Sequence, residues 1–233
     1  FPYQVMAKDG ELYEIGDFKQ QYIARTGTLV TEVEACIARL RVTTRLTEDG
    51  AYIERYQVLW ADSGYGPQIG FIARRPRTRL RGLKIDFPED MRWRFEAGEN
   101  KIAGSYQFAE VKGAFEMTVH CPTGRQKTMN PDNVVGDEPG LFVRRLKQGD
   151  RIERIIVLKD SATEASPQRS VRRVMQAVLK EGTETTCRRH ETVWRSYHKC
   201  VHVSLPDADM DRIYRTSLSL IRASQNPQTG YVT

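Results

Sequence analysis

The chain has 233 residues, 39% of them hydrophobic and 28% charged, which is material for one large domain or one and a half ordinary ones. A net charge of +6, from 36 basic and 30 acidic residues, permits a nucleic-acid partner without arguing for one, and none is expected. The longest apolar runs are strand-sized and far short of the ~20 residues of a spanning helix, so no membrane partner is expected either.

Residues 1–160 read as strands. Apolar and polar residues alternate across 32–42, from Val33 to Val42, which predicts one half-buried strand. Glu48-Asp49-Gly50 is a turn signal, and residues 51–60 alternate again, which completes a hairpin pattern. Further strands are expected at 69–73, 83–87, 91–95, 115–120, 140–146 and 151–158, divided by Pro, Gly and acidic clusters. Short strands at this spacing, with no helices between them, predict a mainly β fold: a two-sheet antiparallel sandwich of about ten to fourteen strands.

The period changes after Leu158. Ser161-Ala162-Thr163-Glu164 has the form of a capping box, and Val171, Val174, Met175, Val178 and Leu179 make an amphipathic helical stripe that Gly182 can close. A second helix is expected from about Thr185 to Tyr197, carrying Trp194, followed by an extended segment up to Pro206. Asp207 can cap a third helix with the stripe Met210, Ile213, Tyr214, Ser217, Leu218, Ile221 and Ser224. That stripe needs cover, either from the sandwich or from residues beyond Thr233.

Several motifs have a plain reading and a sharper one. Asp207, Asp209 and Asp211 read as favourable charge at a helix start rather than as catalytic acids. Cys187, His190, His198, Cys200 and His202 are zinc-ligand types, but their spacing is not that of a zinc finger, so no metal is expected. The four cysteines form no C-x-x-C pair; free thiols are expected, and the compartment stays open. Arg77, Arg79 and Arg81 read as a solvated strand face, although an acidic polysaccharide could use them. Trp60, Trp93 and Trp194 read as core. Tyr65, in Gly64-Tyr65-Gly66-Pro67, is the best-placed surface aromatic for reaching a ligand. Phosphate-loop, dinucleotide, Ser-His-Asp and H-E-x-x-H signatures are absent, so no cofactor is expected.

The C-terminal third carries a resemblance. The run from Glu184 through Arg189-His190-Glu191-Thr192-Val193-Trp194-Arg195-Ser196-Tyr197 is followed by Leu205-Pro206-Asp207, by the helix from Arg212 to Gln225, and by Thr229-Gly230. Together these resemble a segment of (α/α)6-barrel glycoside hydrolases and phosphorylases: bacterial glucoamylases, trehalases of that group and maltose or kojibiose phosphorylases. The resemblance implies a β-supersandwich domain at 1–160, linker helices at 161–206, and the first helix and turn of a truncated catalytic barrel at 207–233. It implies an oligo- or polysaccharide partner, and the missing barrel of the same polypeptide as a second one. Cleavage of a glycosidic bond, by hydrolysis or phosphorolysis, needs paired carboxylates. The resemblance puts them on barrel loops beyond this chain, so no catalytic residue is assigned and the chain alone should be inactive. Arg222, Gln225 and Tyr231, at the end of the first barrel helix, join Tyr65 as the expected substrate contacts. The alternative is a stand-alone β-sandwich carbohydrate-binding protein.

Overall fold

The computed structural model describes residues 4–6, 12–13, 15–73, 92–121, 139–201 and 203–224. Its strands in chain order are β1 (Gln4–Met6), β2 (Leu12–Tyr13), β3 (Ile15–Ile23), β4 (Thr28–Ala35), β5 (Ala38–Leu46), β6 (Ala51–Ala61), β7 (Gln68–Ile72), β8 (Arg92–Ala97), β9 (Lys101–Phe108), β10 (Val111–His120), β11 (Gly140–Val143) and β12 (Arg151–Asp160). A one-turn 3₁₀ helix, Ala24–Thr26, joins β3 to β4. Helices α1 (Pro167–Glu181), α2 (Thr183–Cys200) and α3 (Ala208–Ser224) follow. The fold is the expected mainly β one: a large sheet ordered β3-β4-β5-β6-β12-β10-β9-β8, a small one ordered β11-β7-β1-β2, and C-terminal helices.

Period-2 alternation explains how the large sheet is covered on both faces. Along β12, Ile152 and Ile156 face the small sheet, while Ile155 and Val157 face α1. Tyr56 and Val58 of β6 join the first cluster, Ala51 and Ile53 the second. The run Ile155-Ile156-Val157 is apolar without a break because both faces of its strand are covered. On the helical side, Val171, Val174, Met175 and Val178 of α1 fill the second cluster.

Three local expectations change. The alternation over 32–42 belongs to two strands, with Cys36 and Ile37 forming the turn. Ala35 pairs with Ala38 directly across that turn, and both are buried; the inward positions switch there from odd to even, but the run 35–38 is apolar and holds no Gly, Pro, Asn or Asp to mark the break. Trp60 is 41% exposed rather than core. A register shift between Arg39 and Leu40, opposite Trp60 and Val58, turns the indole outward. The Ser161–Glu164 motif is not the cap of α1. Asp160 still pairs with Gly113 of β10, and the Ser161 hydroxyl accepts the Lys112 N–H. The helix therefore starts only at Pro167, whose ring presets the first helical φ. The basic run 74–81 and the strand expected at 83–87 lie outside the described residues.

Between the sheets sits a buried charge pair. Arg154 of β12 lies directly opposite Glu54 of β6 and binds its carboxylate, with Nε 2.7 Å from Oε2. Tyr52 donates to the same carboxylate at 3.0 Å, and Tyr56 donates to it as well. The Arg154 guanidinium also lies 5.1 Å from the ring centre of Phe71 in the small sheet. Burial first, and the Glu54 charge second, push the Tyr52 phenol up to about 12. Replacing Glu54 alone strands a buried cation, so Glu54→Leu should lower stability by about 3–5 kcal/mol in urea denaturation. The double variant Glu54→Leu, Arg154→Met should lose less than Glu54→Leu does. A larger loss in the double variant would mean that the pair itself supplies net stability.

Candidate functional site

The expected ligand-facing residues fall in two places. Tyr65 lies in the loop after β6, 51% exposed, edge-on to Tyr13 with ring centres 6.1 Å apart. Beside it, Ser63, Gly64, Gly66 and Gln68 line a pocket of about 380 Å³ together with the loop 144–147. That loop brings Arg144, Arg145 and Lys147, so the pocket is cationic. Asp62 shapes the tyrosine loop by accepting the Gly64 N–H at 2.8 Å.

Arg222 stands in the last turn of α3. It donates to Glu48 at 2.6 Å and covers the Tyr197 ring at 5.5 Å. These contacts tie the end of α3 to the turn between β5 and β6 and to α2. Gln225 and Tyr231 lie outside the described residues, so Arg222 is the described member of that group.

The sequence reading missed the closest-fitted contact between helices and sheet. His190, Trp194 and His198 follow one another at i, i+4 and i+8 on α2, so they share one face. That face meets the 3₁₀ turn. Gly27 has φ +56, and a Cβ there would sit 2.3 Å from the Trp194 ring. Only glycine fits, both by backbone conformation and by space. The His190 Nε2 is 3.3 Å from the Gly27 carbonyl, and the His198 Nε2 is 2.9 Å from that of Ala24. Carbonyls only accept, so each imidazole carries its proton on Nε2. The i, i+4, i+8 spacing was a usable signal; the turn it meets, 163 residues before His190 and 174 before His198, was not.

The described zinc-ligand types are used in other ways. His198 belongs to α2 rather than to an extended segment, and both Nε2 atoms are taken by carbonyls. Cys187 points into the cluster under α1, where burial pushes its thiol up. No group of three His, Cys, Asp or Glu among the described residues is arranged to hold a metal. Glu153 and Glu184 share one cationic partner. Both are within ion-pair distance of Arg55, at 3.1 and 2.6 Å.

Helix α3 packs with its polar side inward. As expected, Asp207 caps it, accepting the Met210 N–H at 2.8 Å. Ser219 is fully buried, 3.0 Å from the His198 Nε2. Tyr214 donates to the Val201 carbonyl and Tyr197 to that of Leu218. On the opposite side Met210 is 58% exposed, Leu220 62%, and Ile213 and Ile221 are also open. The stripe read from the sequence therefore does not cover the sandwich.

Desolvation is the main cause holding His190 and His198 below the ordinary value of 6.5. Above that value both are neutral whether the chain is folded or not. As pH falls below it, the unfolded chain takes up these protons first, so stability falls. The Tm should be lower at pH 5.5 than at pH 7.5, and the difference should shrink in the double variant His190→Gln, His198→Gln. An unchanged difference would assign the pH dependence to other groups. Gly27→Ala should cost about 2–3 kcal/mol and alter Trp194 fluorescence.

No protein-family model and no curated protein sequence matches the chain. Solved structures do share its fold. A protein from human microbiome named as a kojibiose phosphorylase superposes with a TM-score of 0.64 at 12% identity, over 94% of this chain and 30% of that one. A family GH92 α-mannosidase from Bacteroides thetaiotaomicron matches at TM-score 0.44 and 10% identity, over 94% of this chain and 31% of its own. A family GH92 inverting mannosidase from Bacteroides thetaiotaomicron VPI-5482 matches at TM-score 0.39 and 10% identity, over 95% and 29%. The first likeness establishes the fold, and the other two add nothing to it. The chain spans about a third or less of the length of each of these neighbours.

Proposed function

We propose that this chain is the non-catalytic part of a carbohydrate-active enzyme, comprising a β-supersandwich (1–160), linker helices (161–206) and the first helix and turn (207–233) of an (α/α)6 barrel. The parent hydrolyses or phosphorolyses glycosidic bonds with paired carboxylates that lie outside these residues. The observation that carries this reading is the orientation of α3. Its polar side is seated on the 3₁₀ turn and α2, while Met210 and Ile213 are mostly exposed. A helix so placed is finished on one side and uncovered on the other, as the first member of a helical barrel would be. The fold shared with a chain named as a kojibiose phosphorylase, of which this one spans 30%, supports the same reading.

On this reading the sugar contacts are Arg222, Gln225 and Tyr231 at the end of α3, with Tyr65 as an outlying aromatic. Gln225→Ala in the longer enzyme should raise KM and leave stability unchanged. Unchanged Michaelis parameters would remove Gln225 from the list.

The helix supplies a sharper test. In this chain, Ile213→Glu and Leu220→Glu should each change stability by less than about 0.5 kcal/mol, because both side chains are exposed. In the longer polypeptide the same substitutions should each cost more than about 2 kcal/mol, because they would bury a charge. Small effects in both settings would sink the barrel reading. So would release of sugar or sugar phosphate from disaccharides by the 233-residue chain alone.

A further inference from the structure

A second cationic pocket, of about 320 Å³, opens where the 3₁₀ turn, α2 and α3 meet. Its lining is Arg25 from the turn, Arg195, His198 and Lys199 from α2, and Arg215 from α3. Arg195, His198 and Lys199 stand at i, i+3 and i+4, so the helix directs all three to one side. Arg195 and Lys199 are like charges at i, i+4, a spacing that by itself destabilises a helix.

Nearby acids compensate only part of this charge. Arg215 is paired with Asp211 at 2.5 Å, and Arg195 reaches Glu191 at 3.3 Å. Glu191 is held more closely by Arg45, at 2.6 Å. Neither Arg25 nor Lys199 has an ion-pair partner among the described residues. Four cations thus face one pocket with two carboxylates beside them. The negative end of the α2 dipole accounts for a cation at Lys199, but not for Arg25 and Arg215, which come from other elements. The imidazole of His198 is almost fully buried, and its Nδ1 has no hydrogen-bond partner. With its proton on Nε2, His198 leaves this Nδ1 as an unsatisfied acceptor, which the P–O–H group of a hydrogen phosphate can satisfy.

We propose that this pocket binds a phosphate group, with the guanidiniums of Arg25, Arg195 and Arg215 and the ammonium of Lys199 as its donors. Arginine suits a tetrahedral oxyanion because its fork donates two parallel N–H bonds, and lysine adds a point charge. A volume of about 320 Å³ exceeds what a bare phosphate needs and admits a phosphate ester of a small molecule. The site joins the sandwich side of the molecule to both following helices, so an anion there braces all three. The proposal rests on the pocket alone and stands whatever reaction the longer polypeptide performs.

The purified protein is titrated with sodium phosphate, and in parallel with sodium chloride at matched ionic strength, by calorimetry and thermal unfolding. Phosphate should bind saturably with one site and raise the Tm, while chloride should do neither. Arg25→Ala and Lys199→Ala should each weaken the affinity at least fivefold. Both side chains project from the protein without an ion-pair partner, so the folded state should persist, which circular dichroism verifies. Glucose 1-phosphate serves as the second probe. Binding at least tenfold tighter than inorganic phosphate assigns the pocket to an ester, and equal or weaker binding assigns it to the free ion. Absence of saturable binding, or binding undiminished in the double variant Arg25→Ala, Lys199→Ala, overturns the proposal.

Discussion

Strands β6, β10 and β12 are covered on both faces, and the rest of the structure is arranged around that constraint. A strand buried on both sides must pair all its backbone polar groups within the sheet and offer side chains that suit two different covers. The small sheet supplies one cover through Ile69, Phe71, Leu141 and Val143. Helix α1 supplies the other through Val171, Val174, Met175 and Val178. One exception to apolar burial, Glu54 with Arg154, is kept between the sheets by two tyrosines and the Phe71 ring. Its members satisfy one another, which is the condition under which a buried charge pair is tolerated.

The helices extend from that core in a fixed sequence. Helix α1 is held by apolar burial, and α2 leaves it at Gly182, which closes the first helix through its N–H to the Val178 carbonyl. The far part of α2 has little sheet beneath it. It is held instead by an aromatic and imidazole face that grips a single turn, where the absence of a side chain at Gly27 makes room for Trp194. Helix α3 then settles on α2 and the same turn through polar contacts at Ser219, Tyr214 and Tyr197. The apolar side of α3 is left over. Hydrophobic burial therefore orders the first helix, shape and hydrogen bonding the second, and hydrogen bonding the third.

Shared fold does not carry shared chemistry, because activities are built from side chains placed on a fold rather than by the fold itself. The likeness to a chain named as a kojibiose phosphorylase concerns the path of the backbone at 12% identity. What this chain adds is a set of occupied acids: Glu153 and Glu184 at Arg55, Glu54 at Arg154, Glu191 at Arg45 and Asp211 at Arg215. Each of these carboxylates is one half of an ion pair that ties two elements together or two turns of one helix.

The sequence by itself determined the fold class, the succession of strands and then helices, and the stripe that seats α1. These follow from periodicity, which is local: side chains two apart share a strand face, and those three or four apart share a helix face. It also marked Tyr65 as an exposed loop residue and Asp207 as the cap of α3. The tertiary structure decided what local pattern leaves degenerate. The turn between Ala35 and Ala38 carried no turn residue, and its switch of inward phase was masked by the continuous apolar run 35–38. The outward Trp60 followed from a register shift that leaves Leu59 as an extra residue in its own strand. The capping-box form at Ser161 lost to a ladder that still held Asp160. The grip of His190, Trp194 and His198 on Gly27, and the convergence of Arg25 with Arg195, Lys199 and Arg215, join residues separated by most of the chain. Such meetings depend on how elements pack, which periodicity does not encode, and so only the folded chain decides which side of α3 is buried and which is left exposed.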